Sequence, residues 1–114
     1  MNVTRGEFDE LVSDALDTIP EELMRLLNNV VVLVEDEHPS DPGLLGLYEG
    51  IALTERDSTY GGVLPDHITI YREPVLRMCS THDEVVREVA TTVIHEVGHH
   101  FGISDQRLHE LGWA

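Results

Sequence analysis

Near its C-terminal end the chain reads His95-Glu96-Val97-Gly98-His99-His100-Phe101-Gly102-Ile103-Ser104-Asp105. His95 and His99 are four residues apart. On a helix that spacing places both imidazoles on one face, roughly 5–6 Å apart at Cβ, within reach of one tetrahedral metal ion. Glu96 follows the first histidine directly. It is too close in sequence to be a comfortable third ligand, but it can reach a water on the metal and act as general base. A catalytic zinc needs three protein ligands and one open position. The helix must therefore stop and the chain must turn back. Gly102 permits that turn at low steric cost, and Asp105 then arrives as an oxygen donor. Histidine pairs at this spacing also arise by chance on exposed helices, and H-E-x-x-H alone is only moderately specific. The two further positions, Gly102 and Asp105, reduce chance matches by roughly two hundredfold.

These side chains need a rigid frame, and the sequence supplies one. Thr4 with Glu7 forms a capping-box pattern, followed by Phe8, Leu11, Val12, Ala15, Leu16 and Ile19 at helical spacing. Pro20, Glu21 and Glu22 open a second helix that stops near Asn28-Asn29. The β-branched run from Val30 to Glu35 predicts a buried strand. Leu44 to Gly50 predicts a second strand, continuing through Ile51, Leu53 and Glu55. Its two glycines suggest a bulge or a close backbone approach. Asp57 to Pro65 reads as a loop turning at Gly61-Gly62. His67 to Arg72 alternates as a third strand, which Pro74 ends. Thr81 with Glu84 repeats the capping box, and Val85, Val86, Val89, Val93 and Val97 carry a long helix to about Phe101. Ser104 or Asp105 caps a last short helix through Leu108 and Leu111. Helices and strands grouped in this way predict an α+β fold, with the long helix packed on a small sheet.

Other reactive residues have plainer readings. His100 points about one hundred degrees from His99 on a helix, which suits a supporting or exposed role. His109, four residues after Asp105, is the rival third ligand. His38, His67 and His82 read as loop or terminal residues. Tyr48, Tyr60 and Tyr71 are packing candidates, any of which could donate to an oxyanion. Glu88 and Thr92 precede His95 by about two turns and one turn, where they either orient ligands or face solvent. Cys79 is a lone cysteine, open to nucleophilic chemistry but more simply a small buried hydrophobe.

Seven Lys and Arg face 22 Asp and Glu, a net charge of −15. That balance opposes nucleic acid and anionic membrane, both of which bind basic surfaces. It weakly favours cationic partners. With 41% hydrophobic residues over 114 positions, one domain can bury a core without disulfides. One cysteine suits a reducing compartment. The first residues hold no apolar signal segment, and the run from Val30 to Val34 is too short to span a bilayer. A cytoplasmic location is expected, with a homodimer left open.

The pattern H-E-x-x-H-x-x-G-x-x-D, with Leu44-Leu45-Gly46-Leu47-Tyr48 and Leu64-Pro65-Asp66-His67-Ile68-Thr69-Ile70 ahead of it, resembles a small bacterial family of minimal zincin-like metallopeptidases. The resemblance runs from about residue 30 to residue 112. It implies one zincin-like domain over residues 1–114, with a small mixed sheet on a long active-site helix and further helices at both ends. It also implies Zn²⁺ held by His95, His99 and Asp105, with Glu96 as base in the hydrolysis of a peptide or protein substrate. That substrate would lie as an added strand along Leu44 to Gly50. The related metzincins have histidine at the third ligand and a methionine turn downstream. No methionine follows Asp105 here, and Trp113 is either an apolar floor in its place or a core anchor. A C-terminal half like that of a larger zincin cleft is not expected in the nine residues after Asp105. Two other classes compete: a binding module that kept the site without turnover, and a metal-dependent endoribonuclease with H-x-x-x-H-x-x-G-x-x-H. Asp105, Glu96 and the acidic charge disfavour the second.

Overall fold

A computed structural model describes residues 1–50 and 65–113. Thr4 starts the first helix, α1 (Arg5–Asp17), by accepting the Glu7 N–H on its hydroxyl at 3.1 Å. Phe8, Leu11, Val12 and Ala15 form its buried stripe. Pro20 is the N-cap of α2 (Glu21–Met24), one position earlier than expected, and a 3₁₀ turn (Arg25–Leu27) follows. Asn29, at φ 65°, then reverses the chain. Asparagine tolerates this left-handed conformation better than most residues.

Three strands form one sheet in the order β1-β3-β2. They are β1 (Val30–Glu35), β2 (Gly46–Glu49) and β3 (Asp66–Tyr71). β1 runs parallel to β3, with Val32 opposite Ile68, and β2 runs antiparallel, with Tyr48 opposite Ile68. The central strand buries Ile68, Thr69, Ile70 and Tyr71. β1 corrects the expectation of a buried strand. It lies at a sheet edge, and Val31 and Leu33 are 42% and 41% exposed. A continuous apolar run does not reveal whether both faces of a sheet are covered. The expected strand continuation through Ile51, Leu53 and Glu55, and the Gly61-Gly62 turn, lie outside the described residues.

A helix unread from sequence, α3 (Arg72–Met78), follows β3 directly. Pro74 marked a strand end in the sequence but sits in the first turn of this helix. Its missing N–H has no intrahelical acceptor there to lose. The long helix α4 (His82–His100) starts at Thr81, whose hydroxyl accepts from Glu84 N–H at 3.1 Å, while Glu84 Oε2 accepts from Ser80 N–H. Val85, Val89, Val93 and Val97 are fully buried against α1 and the sheet. A short α5 (Asp105–Glu110) closes the described chain, capped by the Ser104 hydroxyl. The fold is α+β, a small mixed sheet packed on a long helix. No helix among the described residues is long and apolar enough to cross a membrane.

Candidate active site

The end of α4 is a Schellman motif. Gly102, at φ +73°, donates its N–H to His99 O at 3.2 Å, and Ile103 donates to Gly98 O at 2.7 Å. These bonds satisfy carbonyls the helix leaves open and turn the chain back along it. Ser104 then caps α5, and Asp105 becomes its first residue. Asp105 Oδ1 lies 3.2 Å from His99 Nε2. A carboxylate also suits this positive helix end.

Gly98, which counts as a free position in the motif, makes the turn-back close enough. A Cβ at Gly98 would stand 2.7 Å from Leu108 Cδ1, and Leu108 is fully buried. α5 therefore rests directly on the α4 backbone between the two motif histidines. The only sequence signal was a glycine inside a strongly helical stretch, where glycine costs about 1 kcal/mol relative to alanine.

β2 lies along a single ridge of the same helix. A Cβ on Gly46 would be 2.6 Å from Thr92 Cγ2, Tyr48 N–H donates to Glu96 Oε1 at 3.1 Å, and a Cβ on Gly50 would be 3.4 Å from His100 Cε1. Thr92, Glu96 and His100 are spaced four apart on the helix, an advance of about 6 Å per step. Gly46, Tyr48 and Gly50 are spaced two apart along extended chain, about 6.6 Å per step. The two repeats stay in step over the contact, and the glycines are the close approaches their positions suggested. Thr92 thus packs on β2, with its hydroxyl given to Glu88 O at 2.8 Å, rather than orienting a ligand.

The neighbouring ridge carries His95 and His99, whose ring centroids are 6.2 Å apart with planes 17° from parallel. Two donor atoms about 2 Å from one tetrahedral ion are themselves about 3.3 Å apart. His99 Nε2 and Asp105 Oδ1 meet that spacing and are exposed enough to meet an ion from solution. Two imidazoles sharing such an ion have ring centroids about 5 Å apart, so His95 stands slightly wide of it. Among the described residues no three His, Cys, Asp or Glu side chains converge on one ion position as they stand. The donor set of two imidazoles and a carboxylate fits zinc chemically. The pair brought into contact is His99 and Asp105, and His109 is exposed on α5.

A groove of about 530 Å³ opens beside these residues, bounded by Asp41, Leu44, Gly46, Glu88, His95 and Glu96. A larger hollow of about 730 Å³ between α1, α2 and β1 has no histidine or cysteine in its lining. The remaining residues take structural places. Trp113 is half-buried against the core and donates its N–H to Leu108 O at 2.9 Å, closing α5. Met78 is 58% exposed at the end of α3. His38 accepts N–H groups from Ser40 and Asp41 within its loop, and His67 pairs with Glu49 at 3.4 Å. Tyr71 is buried, and burial followed by Glu49 and Glu35 raises its pKa. Burial also raises the Cys79 thiol, reinforced by Glu88 and Glu84, so this side chain is no ready nucleophile. Tyr60 lies outside the described residues.

A long helix carrying H-E-x-x-H beside an antiparallel edge strand defines a zincin-like fold. The chain belongs to the zincin-like metallopeptidase family, whose model matches residues 27–113. It is 31% identical to a conserved hypothetical protein from Thermo thermophilus, over 87% of this chain and 94% of that one, with a TM-score of 0.57. No curated protein matches it.

Proposed function

We propose that this protein is a zinc-dependent peptidase in which His95, His99 and Asp105 hold the metal and Glu96 is the general base. The observation that carries the reading is the contact of His99 with Asp105 at 3.2 Å, one helical turn from a glutamate whose carboxylate is held at the rim of a groove. When bound there, zinc supplies Lewis acidity, polarising a carbonyl and lowering the pKa of a water to about 7. Glu96 takes a proton from the attacking water and returns it to the amine nitrogen as the C–N bond breaks. The acyl carbon keeps the water oxygen, so the products are a carboxylic acid and an amine. The groove runs beside the chain from Asp41 to Gly46 and suits an extended peptide lying along that segment, ahead of the Tyr48 N–H that Glu96 already holds. Among the described groove residues, Asp41, Glu88 and Glu96 are acidic and none is Lys or Arg, which favours peptides with basic side chains.

The test compares zinc-loaded wild type with Glu96→Gln on a broad peptide library. Glu96→Gln should keep its zinc, because the three ligands remain, and lose on the order of 10²–10⁴ in rate. If the variant cleaves as fast as wild type, Glu96 is not the base. A zinc-loaded wild type that cleaves nothing would make the protein a metal-binding module.

A further inference from the structure

We infer that Tyr48 is a positioning residue: its backbone N–H holds the Glu96 carboxylate, and its side chain is itself held by Asp66 and His100. This rests on the reading of Glu96 as the base. Directly before β2 the Leu45 carbonyl accepts from Tyr71 N–H at 2.9 Å, on the side facing β3. Backbone groups alternate along a strand, so the Tyr48 N–H faces the other way, toward α4, and meets Glu96 Oε1 at 3.1 Å. A strand of four residues at a sheet edge is a weak anchor by itself.

The Tyr48 side chain supplies the anchor. Tyr48 stands opposite Ile68, so it shares a sheet face with Asp66, its diagonal neighbour. The phenol O–H donates to Asp66 Oδ2 at 2.7 Å. A hydrogen bond to a carboxylate is among the stronger kinds. The Tyr48 ring stacks on the His100 imidazole, with centroids 3.8 Å apart and planes 18° from parallel. Phe101 meets both rings edge-on. His100 follows His99 directly, so one tyrosine joins the edge strand to the turn that carries a candidate ligand and to the carboxylate one turn earlier. Oε2 of Glu96 is not used in this contact and is left to serve a water.

The amide of residue 48 reports the contact directly, in zinc-free protein and without substrate. Its hydrogen-exchange rate, followed by NMR, should rise about tenfold in Glu96→Ala, which removes the acceptor. It should rise by a smaller factor in Tyr48→Phe, which keeps the stack and loses the bond to Asp66. Turnover gives the second readout. Tyr48→Ala and Tyr48→Pro both lack the ring and hydroxyl, but only proline lacks the N–H. Because that N–H points away from β3, proline leaves the ladder intact. Tyr48→Pro should show kcat about tenfold below Tyr48→Ala, with KM and zinc content alike, and Tyr48→Phe should recover most of the wild-type kcat. An unchanged exchange rate in Glu96→Ala overturns the inference. Equal kcat in Tyr48→Pro and Tyr48→Ala overturns it as well. If wild type hydrolyses nothing, the peptidase reading fails separately, and the exchange rate still decides whether Tyr48 holds the carboxylate.

Discussion

Asp105 touches His99 while His109 faces solvent, and this difference sets the expected ranking of metal affinity. His99→Ala should lose most bound zinc by elemental analysis, because two donors remain where three are needed. Asp105→Ala should weaken zinc far more than His109→Ala. The reverse ranking would mean that the third ligand has been assigned one turn too early. Cys79 is a separate case. Its pKa is raised, so at any given pH below it less thiolate is present than on a free cysteine. Alkylation by iodoacetamide at neutral pH should therefore be slower than for a cysteine peptide, and unfolding in urea should abolish the difference. The same sign means that folding stability from this group is present below the ordinary thiol range and is lost as the pH rises through the alkaline range. Native-state alkylation at the peptide rate would place the thiol on the surface.

At the scale of elements, two close contacts define the site: α5 on α4 at Gly98, and β2 on α4 at Gly46. Gly98→Ala improves helix propensity by about 1 kcal/mol but drives a methyl into Leu108, and overpacking in a full core costs about 1–3 kcal/mol. We expect a small net loss of stability. The effect on zinc should be larger, because displacing α5 carries Asp105 away from His99. Leu108→Val in the same chain makes room and should restore part of the zinc affinity. If Gly98→Ala alone binds zinc like wild type, α5 docking does not set the position of Asp105. Gly46→Ala presses on Thr92 and on the Thr69 carbonyl, which cannot move aside easily. It should lower turnover with little change in zinc content, since it displaces β2 and leaves the ligands in place.

For the whole molecule the expected effects are linkage and charge. A ligand that binds only the folded state stabilises it by about 2.7 kcal/mol at one hundred times its Kd. In a chain of this size that corresponds to a rise of about 10 °C in Tm. Zinc should produce this shift in wild type and not in His99→Ala, measured by differential scanning calorimetry. The net charge of −15 and the acidic groove favour cationic peptides, and screening should remove that preference as salt rises toward 1 M. A preference that persists in 1 M salt would point to shape rather than charge.

Local chemistry was legible in the chain alone. The N-caps at Thr4 and Thr81, the 3.6-residue stripe of valines in α4, the stop at Gly102 and the cap at Ser104, one of the two residues the sequence offered, are short-range features. Steric limits and nearby hydrogen bonds set them, and they appear in the structure where the sequence places them. Long-range placement was not legible. Pro74 concealed α3, because proline is equally at home after a strand and in the first turn of a helix. The run from Val30 to Val34 could not reveal that it forms a sheet edge, since burial depends on which strands flank it. Gly98 carried no sign of a partner until the packing of Leu108 explained it, and Gly46 suggested a close approach without showing that Thr92 is what it meets. The hydrogen bond from Tyr48 to Glu96 joins residues 48 apart in the chain. It arises only because strand and helix repeats match across the contact, a property of two elements in space that neither carries in its own sequence.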